Sequence, residues 1–324
     1  MDQNICIASP SLALIKYWGK KRMPGNLTAT PSLAVTLGGL ETETQVYPGP
    51  EDFVLLNGKV QEAERYRGFF EHLRRRLKVD QHFHVRTQNN FPSSAGLASS
   101  SSGFAALTCA AARAVDRALS PQALSALARY GSASASRALF GGFVLLPAGA
   151  RRAEPLLPAE HWPELRILVA VVTEQRKPIS SREAMTVTRL TSPYYRSWIR
   201  SSPKLIPQAV SALKARDIEA LGAAVRLSYS RMHAVLLASD PPLTYWTART
   251  LTVLNSCARL RREGIGVWET MDAGPQVKML CLSSDVARIK QALSEQDERI
   301  RFIEAYPGLA PRFVDRAQRE VRYA

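Results

Sequence analysis

The stretch that most constrains the fold is a loop of small residues, 89–103, that continues without a break into an Ala-rich segment, 104–113. The Ala-rich segment favours a helix, whose first N–H groups lack partners inside the helix and whose N-terminus carries a partial positive charge. Small side chains let a phosphate approach these N–H groups, and Ser hydroxyls can reach the phosphate or a magnesium ion. The sequence therefore predicts a phosphate-binding loop that lacks the Lys of a Walker A motif.

A second interpretation of this stretch is a Ser-rich linker that runs into an ordinary surface helix. A flexible linker carries few large apolar residues, whereas this one contains Phe91 and Leu97 and leads into a long apolar run. These side chains need burial, so the phosphate-binding loop is the favoured interpretation.

The length and composition indicate a globular protein. The chain has 324 residues, of which 46% are hydrophobic, enough to give one large domain or two smaller ones a proper core. No run approaches the roughly eighteen apolar residues of a membrane span. The first residues, 1–4, also lack the basic and apolar parts of a signal peptide. We therefore expect no membrane partner and a cytoplasmic location.

The net charge is strongly positive, at +15, with a pI near 10. Nucleic-acid-binding proteins usually concentrate such charge in a patch or arm, whereas the basic residues here are scattered, as at 74–76, 151–152 and 259–262. Arg-rich usage over an Ala/Leu background is one explanation, and an anionic substrate that favours a basic site is another. We therefore expect no nucleic-acid partner, and a basic nucleic-acid-binding protein without catalytic activity is a distant alternative.

The cysteines, Cys6, Cys109, Cys257 and Cys281, are far apart and lie in apolar surroundings without CxxC spacing. Disulfides and a zinc site are therefore not expected. Buried thiols are the predicted state.

Hydrophobic periodicity predicts that the first part of the chain is rich in strands and the second part is rich in helices. Strands are predicted at 5–8, 12–20, 32–37, 43–47, 53–56, 82–86, 142–146, 165–172, 266–270, 277–282 and 299–305. Helices are predicted at 64–77, 104–113, 121–129, 183–190, 203–215, 218–238, 243–263 and 284–296. The predicted fold class is α+β, with a strand-rich lobe, 1–179, a helix-rich lobe, 180–324, and a cleft between them.

Asp272 is a candidate for acid–base chemistry. It follows a predicted strand and precedes Ala-Gly-Pro, so a rigid scaffold presents its carboxylate. An Asp in such a turn often only caps local backbone groups, and that alternative stays open.

Two further segments are candidate anion sites. Lys16 and Lys20 flank Tyr-Trp-Gly after an apolar strand, which resembles an anion clamp, although a lone Lys is usually solvated surface. Residues 131–137 alternate Ser with Ala and end in Arg137. Hydroxyls, backbone donors and a guanidinium suit a phosphate or a carboxylate, and the same segment also fits a capped helix start.

Five motifs occur in an order that identifies a known family. They are Leu-Ile-Lys-Tyr-Trp-Gly-Lys at 14–20, Asn-Asn-Phe-Pro through Ala-Gly-Leu-Ala-Ser-Ser at 89–100, 131–142 ending Arg-Ala-Leu-Phe-Gly-Gly, Ser-Ser-Arg at 180–182, and Met-Asp-Ala-Gly-Pro at 271–275. Together they resemble the diphosphomevalonate decarboxylase family of the GHMP kinase superfamily, from about residue 5 to residue 282. The resemblance implies a two-lobed GHMP kinase fold, with an N-terminal lobe like ribosomal protein S5 domain 2 and a ferredoxin-like, helix-rich C-terminal lobe.

The resemblance also implies the reaction. In this family the tertiary 3-hydroxyl of mevalonate 5-diphosphate is phosphorylated by ATP, and phosphate and carbon dioxide then leave to give isopentenyl diphosphate. Phosphorylation turns a poor leaving group into a good one. Elimination then develops positive charge at a tertiary carbon, and many cationic side chains gather the polyanions.

The same resemblance assigns roles to residues. Asp272 orients or deprotonates the hydroxyl, Lys16 keeps that carboxylate ionised, and Arg137 holds the substrate carboxylate. Further substrate contacts are implied at Tyr17, Trp18, Gly19, Lys20, Arg65, Ser132, Ala133, Ser134, Ala135, Ser136, Ser181 and Thr188. ATP phosphates are assigned to Asn90, Pro92, Ser93, Ser94, Ala95, Gly96, Leu97, Ala98, Ser99, Ser100 and Ser101. Magnesium (Mg2+) is expected with ATP, with Ser99 and Ser100 as candidate ligands, and Ser181 is assigned to either substrate or nucleotide phosphates.

One segment departs from the family pattern. The family usually reads Leu-Pro-x-Asn-Ser-Ser-Leu-Ser. In residues 27–34, Thr30 stands in place of the Asn and its side-chain amide, and Pro31, which lacks a backbone N–H, stands in place of the first Ser. The alternatives are a decarboxylase or 3-kinase of mevalonate 5-phosphate, or of another small phosphorylated hydroxy acid. Lys16 and Asp272 favour decarboxylation, since related kinases that stop at the phosphoester lack that pair. Because many relatives are homodimers, we expect a homodimer.

Overall fold

The computed structural model describes residues 5–92, 99–175 and 177–315. The strands are β1 (Ile5–Ala8), β2 (Ser11–Ile15), β3 (Ser32–Gly38), β4 (Thr42–Gly49), β5 (Phe53–Leu56), β6 (Lys59–Val60), β7 (His82–Asn89), β8 (Phe143–Leu146), β9 (Glu154–Leu157), β10 (Leu165–Val171), β11 (Val267–Met271), β12 (Val277–Leu282), β13 (Arg301–Pro307) and β14 (Arg312–Val314). The helices are α1 (Glu64–Leu77), α2 (Ser99–Ala114), α3 (Pro121–Gly131), α4 (Ser181–Thr191), α5 (Tyr195–Ser201), α6 (Leu205–Ala215), α7 (Ile218–Leu237), α8 (Ala248–Arg262) and α9 (Val286–Ser294). The α+β class is confirmed.

The strands form two sheets. One has the order β14-β1-β4-β7-β5-β6, and β5 lies parallel to β7 because α1 crosses over between them. The other has the order β11-β12-β10-β13-β3-β8-β9, and β2 also pairs with β3. The pairs of this second sheet are antiparallel.

The second sheet takes strands from both predicted lobes. β10 lies between β12 and β13 and is buried at every position except Arg166, as predicted for an internal strand. β13 reaches from β10 to β3, so the sheet is continuous across the chain. The boundary between residues 179 and 180 stays a prediction.

Local sequence signals placed several elements correctly. α1 has the predicted bounds. Asn57 and Gly58 have φ angles of 49° and 74° at the turn between β5 and β6, as a two-residue hairpin loop requires. Ser120 caps α3 by accepting the Ala123 N–H at 3.3 Å. The four cysteines are buried and free, as predicted.

Elements that depend on distant contacts differ from prediction. The strand predicted at 12–20 ends at Ile15, because the Lys16 N–H donates to Ser228 Oγ of α7 at 2.8 Å instead of to a strand partner. The helix predicted at 243–263 begins at Ala248, after a capping box at Thr247. Three short elements, α5, β9 and β14, were not predicted. β14 pairs with the distant β1, whereas β9 pairs with the preceding strand, β8.

Helix α7 brings two strand ends together. It packs on both β2 and β11, and Val225 shares a core cluster with Leu14 and Ile167. The residues that follow β2 and β11 therefore meet beside this helix. Within the described ranges, none of the helices combines the length and apolar character that crossing a membrane requires.

Candidate active site

Asp272 lies in the turn between β11 and β12, where its carboxylate meets a buried lysine. Lys16 Nζ is 2.7 Å from Asp272 Oδ1 and donates a second hydrogen bond to the Ala13 carbonyl at 2.7 Å. Lys16 is 2% exposed, whereas Asp272 is 31% exposed and open to a ligand. The side chain of Asp272 thus contacts ammonium groups, not the local backbone of a capped turn. The structure brings the predicted pair together.

Lys278 is a second lysine on the same carboxylate, and it was not among the predicted site residues. Its Nζ lies 3.3 Å from Asp272 Oδ2, and its side chain is fully buried. The signal in the sequence was weak: one Lys inside an apolar strand, six residues after the Asp. Only the antiparallel pairing of β11 with β12 places it at the carboxylate.

These lysines set the ionisation of the site. Burial raises the pKa of Asp272, but the Lys16 and Lys278 ammonium groups outweigh that effect and hold the pKa below its ordinary value. Burial lowers the pKa of Lys16 to about 8, although Asp272 opposes this shift. At neutral pH the site therefore contains an ionised carboxylate and a protonated Lys16.

Arg137 presents a buried guanidinium nearby. It follows the 3-10 turn Ala133–Ser136 and is 2% exposed. Its Nη1 donates to Ser32 Oγ at 2.6 Å and its Nε to Ser11 Oγ at 3.3 Å, and it lies 5.6 Å from the ring centre of Tyr17. Among the described residues no carboxylate forms an ion pair with Arg137. Its charge is therefore available to an anionic ligand.

The predicted Ser and Ala residues before Arg137 fall into two groups. Ser136 donates to the Ala133 carbonyl at 2.7 Å and is buried, as is Ala135, so these residues build the turn. Ser132 Oγ lies 2.8 Å from Ser134 Oγ and makes no side-chain cap. Its hydroxyl is half-buried and faces the start of α2.

Trp18 is held at three points. Its indole N–H donates to Thr188 Oγ1 at 2.9 Å, its backbone N–H donates to Thr30 Oγ1 at 3.1 Å, and its carbonyl accepts the Trp198 indole N–H at 3.0 Å. Thr30 thus fixes the backbone of Trp18 and is fully buried. Thr188 and Trp18 support the loop that carries Tyr17.

Gly19 and Lys20 complete this loop. Gly19 has a φ of 93°, and a Cβ there would lie 2.0 Å from the Tyr195 hydroxyl, so a glycine is required. Lys20 Nζ donates to Asn26 Oδ1 at 2.6 Å. Burial, with Arg182 nearby, lowers the pKa of Lys20 to about 8.

The phosphate-binding loop is described only in part, since Ser93, Ser94, Ala95, Gly96, Leu97 and Ala98 lie outside the described residues. Helix α2 begins at Ser99, five residues before the predicted Ala-rich helix 104–113, so Ser99, Ser100 and Ser101 lie in its first turn and not in the loop. Phe91 is buried. Ser99 is half-buried and Ser100 exposed, and Ser100 Oγ lies 3.4 Å from Ser132 Oγ. The start of α2 therefore adjoins the Arg137 segment.

Two residues predicted to bind nucleotide make contacts within the protein. Ser101 is fully buried, and its Oγ accepts the Ser11 N–H at 3.0 Å. The Asn90 side chain accepts the Glu41 N–H at 2.8 Å and donates to the Gly39 carbonyl at 3.2 Å. Pro92, the next predicted contact, is exposed.

The last two predicted residues differ in their relation to Asp272. Ser181 begins α4. Lys177 Nζ donates to Ser181 Oγ at 2.8 Å and to the Ala273 carbonyl at 3.2 Å, so it links the start of α4 to the turn that contains Asp272. Arg65 is exposed in the first turn of α1. No contact among the described residues links Arg65 to the Asp272 cluster.

A buried ion network supports β11 just before the site. Glu269 is 3% exposed and pairs with Arg226 Nε at 2.7 Å and with Arg261, while the Tyr229 hydroxyl donates to Glu269 Oε1 at 3.3 Å. This network anchors β11, the strand that precedes Asp272, to helices α7 and α8.

We expect Glu269→Gln to lower the free energy of unfolding by about 3 kcal/mol, because it leaves the half-buried Arg226 and the mostly buried Arg261 without their carboxylate. Urea denaturation measures this loss. The matched control is Glu263→Gln, which removes an exposed partner of Arg259 and should cost less than about 0.5 kcal/mol. Equal losses in the two variants would contradict this account of the Glu269 network.

Cationic side chains dominate the site as a whole. Asp272 pairs with Lys16 and Lys278 and interacts electrostatically with Arg137 and Lys177. Arg182 acts on both Tyr17 and Lys20 in the adjoining loop. Such an excess of positive charge suits a small ligand that carries several negative charges. A carboxylate at its centre can accept a hydrogen bond from a hydroxyl of that ligand.

Two family models match the chain. Residues 8–156 match the diphosphomevalonate decarboxylase-like N-terminal domain, and residues 167–309 match the mevalonate 5-diphosphate decarboxylase C-terminal domain. The chain belongs to the diphosphomevalonate decarboxylase family. The resemblance carried by its five motifs is thereby confirmed.

Individual members of the diphosphomevalonate decarboxylase family are similar along most of the chain. The diphosphomevalonate decarboxylase of Eremothecium gossypii is 33% identical, over 89% of this chain and 79% of that protein. The crystal structure of the Staphylococcus aureus mevalonate diphosphate decarboxylase is 32% identical, with a TM-score of 0.92 over 97% of this chain and 98% of that one. A third structure, MDDEF in complex with MVAPP, AMPPCP and magnesium, is 34% identical, with a TM-score of 0.90 over 97% and 99%. The GHMP kinase fold is confirmed.

Proposed function

We propose that this protein catalyses the ATP-dependent decarboxylation of (R)-mevalonate 5-diphosphate to isopentenyl diphosphate, ADP, phosphate and carbon dioxide. The observation that carries the proposal is the partly exposed Asp272 carboxylate, which is held by Lys16 and Lys278 and lies close enough to Arg137 to interact with its charge. Membership of the family and the MVAPP complex of a relative support it.

The charge of the site fits this substrate. Mevalonate 5-diphosphate carries a diphosphate and a carboxylate, and both need cationic partners in a partly buried site. We assign the substrate carboxylate to Arg137, whose charge has no partner among the described carboxylates. Lys20 and Arg182 lie together near Tyr17 and are the assigned contacts of the diphosphate.

Asp272 accepts the hydrogen bond of the 3-hydroxyl. The hydroxyl oxygen forms a bond to the γ-phosphorus of ATP as the bond between that phosphorus and ADP breaks, and the hydroxyl proton leaves through the hydrogen bond to Asp272. Because Lys16 and Lys278 hold its pKa low, Asp272 is a weak base, and its main contribution is to orient the hydroxyl. The loose transition state of phosphoryl transfer requires little base strength and depends chiefly on positioning.

The second stage breaks two bonds of the phosphorylated substrate. The C3–O bond breaks, and its electron pair goes to phosphate. The bond between the carboxylate carbon and C2 also breaks, and its electron pair forms the new C2=C3 bond as carbon dioxide leaves. Arg137 fixes the carboxylate in line for this elimination. The ionised Asp272 stabilises the positive charge that develops at C3.

The start of α2 fits a nucleotide with magnesium. Mg2+ prefers oxygen ligands. Ser101 accepts a hydrogen bond from the buried Ser11 N–H, whereas Ser99 is half-buried and Ser100 is exposed, so the hydroxyls of Ser99 and Ser100 are accessible to an ion. Ser99 and Ser100 would hold the ion, which when bound neutralises charge on phosphate oxygens. The AMPPCP and magnesium in a relative support this assignment.

The substrate is tested by comparing kcat/KM for carbon dioxide release from mevalonate 5-diphosphate and mevalonate 5-phosphate, with ATP and magnesium. We expect the diphosphate to be strongly preferred, because Lys20 and Arg182 need a second phosphate to be neutralised. Preference for the monophosphate would instead link the Thr30-Pro31 departure to a change of substrate.

The pH dependence follows from Lys16. The pKa of Lys16, about 8, lies below its ordinary value. Lys16 therefore loses its proton as the pH rises above about 8, and Asp272 then loses the nearer of its two cations. We expect kcat/KM, which reports the free enzyme, to fall on the alkaline side with an apparent pKa near 8. Because Lys20 shares a pKa of about 8, the profile of Lys20→Met assigns the limb. Disappearance of the limb in Lys20→Met would contradict the assignment to Lys16.

The proposal includes a homodimer, which the resemblance implies, and a location in the cytoplasm, which was expected from the sequence pattern. Sedimentation velocity at the enzyme concentration of the assay tests the dimer. A monomer that is fully active would remove the dimer from the proposal.

A further inference from the structure

Lys278 occupies a place where a lysine is costly. Strand β12 is buried on both sides, with Val277 and Met279 in one core cluster and Leu280 in another, and Lys278 between them is fully buried. Moving an ammonium group out of water costs several kcal/mol unless it is paired. A stable strand would be obtained more simply with an apolar residue, so the reason for this lysine lies in its contacts.

The contacts of Lys278 point to the carboxylate. Its Nζ lies 3.3 Å from Asp272 Oδ2 and donates to the Gln276 carbonyl at 3.5 Å. In the β11–β12 hairpin Lys278 lies opposite Thr270. Its side chain therefore extends toward the turn to reach Asp272, two residues after Thr270. The other oxygen, Oδ1, already accepts from Lys16 at 2.7 Å. Each carboxylate oxygen therefore has an ammonium group of its own.

Two ammonium groups do what one cannot. A carboxylate held through one oxygen can rotate about its Cβ–Cγ bond, whereas a carboxylate held through both is fixed in plane. Each ionised oxygen has about two acceptor sites, so Asp272 can still accept a hydroxyl from the substrate. The second positive charge also disfavours protonation of the carboxyl group, because it stabilises the ionised form.

We infer that Lys278 is a positioning residue that, by holding Oδ2, keeps Asp272 ionised and aimed at the hydroxyl to be phosphorylated. The inference rests on the proposed function of the same site. It gives Lys278 a role through Asp272, without contact to the substrate. A structural role would instead make Lys278 important for stability and leave the titration of Asp272 unaltered.

The test compares the wild type with Lys278→Met, which keeps the length of the side chain and removes the charge. We expect kcat at pH 7 to fall about 100-fold while KM for mevalonate 5-diphosphate changes little, because orientation is lost and binding groups are kept. The acid limb of the kcat profile moves to higher pH. The free energy of unfolding is unchanged or raised, since an apolar residue replaces a buried charge.

Two further variants serve as controls. Lys290→Met removes a lysine from an exposed ion pair with Glu304 and should keep the wild-type profile. Lys278→Gln keeps a nitrogen donor without the charge, so it should show the same shift of the acid limb, and it carries the comparison if Lys278→Met does not fold.

A readout without turnover separates the inference from the proposed function. Carbon-13 NMR of carboxyl-labelled aspartate, assigned with Asp272→Asn, follows the titration of Asp272 directly. We expect the pKa of Asp272 to rise in Lys278→Met and Lys278→Gln even if the natural substrate is a different one. Unchanged titration together with a wild-type acid limb would overturn the inference, whereas a wild type that releases no carbon dioxide would overturn only the proposed function.

Discussion

Asp272→Asn is expected to lower kcat for carbon dioxide release by about 10³- to 10⁴-fold. The amide has nearly the same shape but no charge, so it cannot orient the hydroxyl as a strong acceptor or stabilise positive charge at C3. It also leaves the buried Lys16 and Lys278 without their counter-ion. We therefore expect some loss of stability as well. Initial rates and thermal unfolding of the same samples measure both effects.

The control for this variant is Asp80→Asn, the same change at an exposed residue in the connection between α1 and β7. It should retain wild-type rates. If Asp272→Asn kept more than about a tenth of the wild-type kcat, a catalytic role for the carboxylate would be excluded.

Arg137→Met is expected to lower kcat/KM for mevalonate 5-diphosphate by about 10²- to 10³-fold. Removing one partner of a buried, hydrogen-bonded charge pair typically costs about 2–5 kcal/mol, and here the lost partner is the assigned ligand of the substrate carboxylate. The free protein should unfold at nearly the same denaturant concentration, since its hydrogen bonds to Ser11 and Ser32 involve neutral groups.

Arg137→Lys distinguishes charge from geometry. A lysine keeps the positive charge but lacks the planar fork of the guanidinium, so activity should lie between those of the wild type and Arg137→Met. Arg76→Met, at an exposed position of α1, controls for the loss of one positive charge. A wild-type kcat/KM in Arg137→Met would show that the substrate carboxylate is held elsewhere.

The sequence predicted those parts of the fold that local patterns decide. Phe69, Phe70, Leu73 and Leu77 repeat at helical spacing, and α1 has the predicted bounds. The end of β2 was not predictable in this way, because the apolar pattern continues while Lys16 turns to Ser228 on α7. Partners that lie far away in the chain leave no periodic signal.

The same distinction applies to the candidate site. The motifs around Lys16 and Asp272 carried a resemblance that predicted their pairing, and the structure brings them together. Lys278 belonged to none of the motifs, and only the register of β11 with β12 reveals its contact. Conversely, Ser101 looked like a phosphate ligand within a run of serines, but the rotation of α2 turns it toward Ser11.

The most direct test of the account measures ADP and labelled carbon dioxide in one reaction of the wild-type protein with mevalonate 5-diphosphate, ATP and magnesium. We expect ADP and carbon dioxide to appear in equal amounts and at the same rate, because Asp272 and Arg137 serve successive stages in one site. ADP formation without carbon dioxide would contradict it and would identify a kinase that stops at the 3-phosphate.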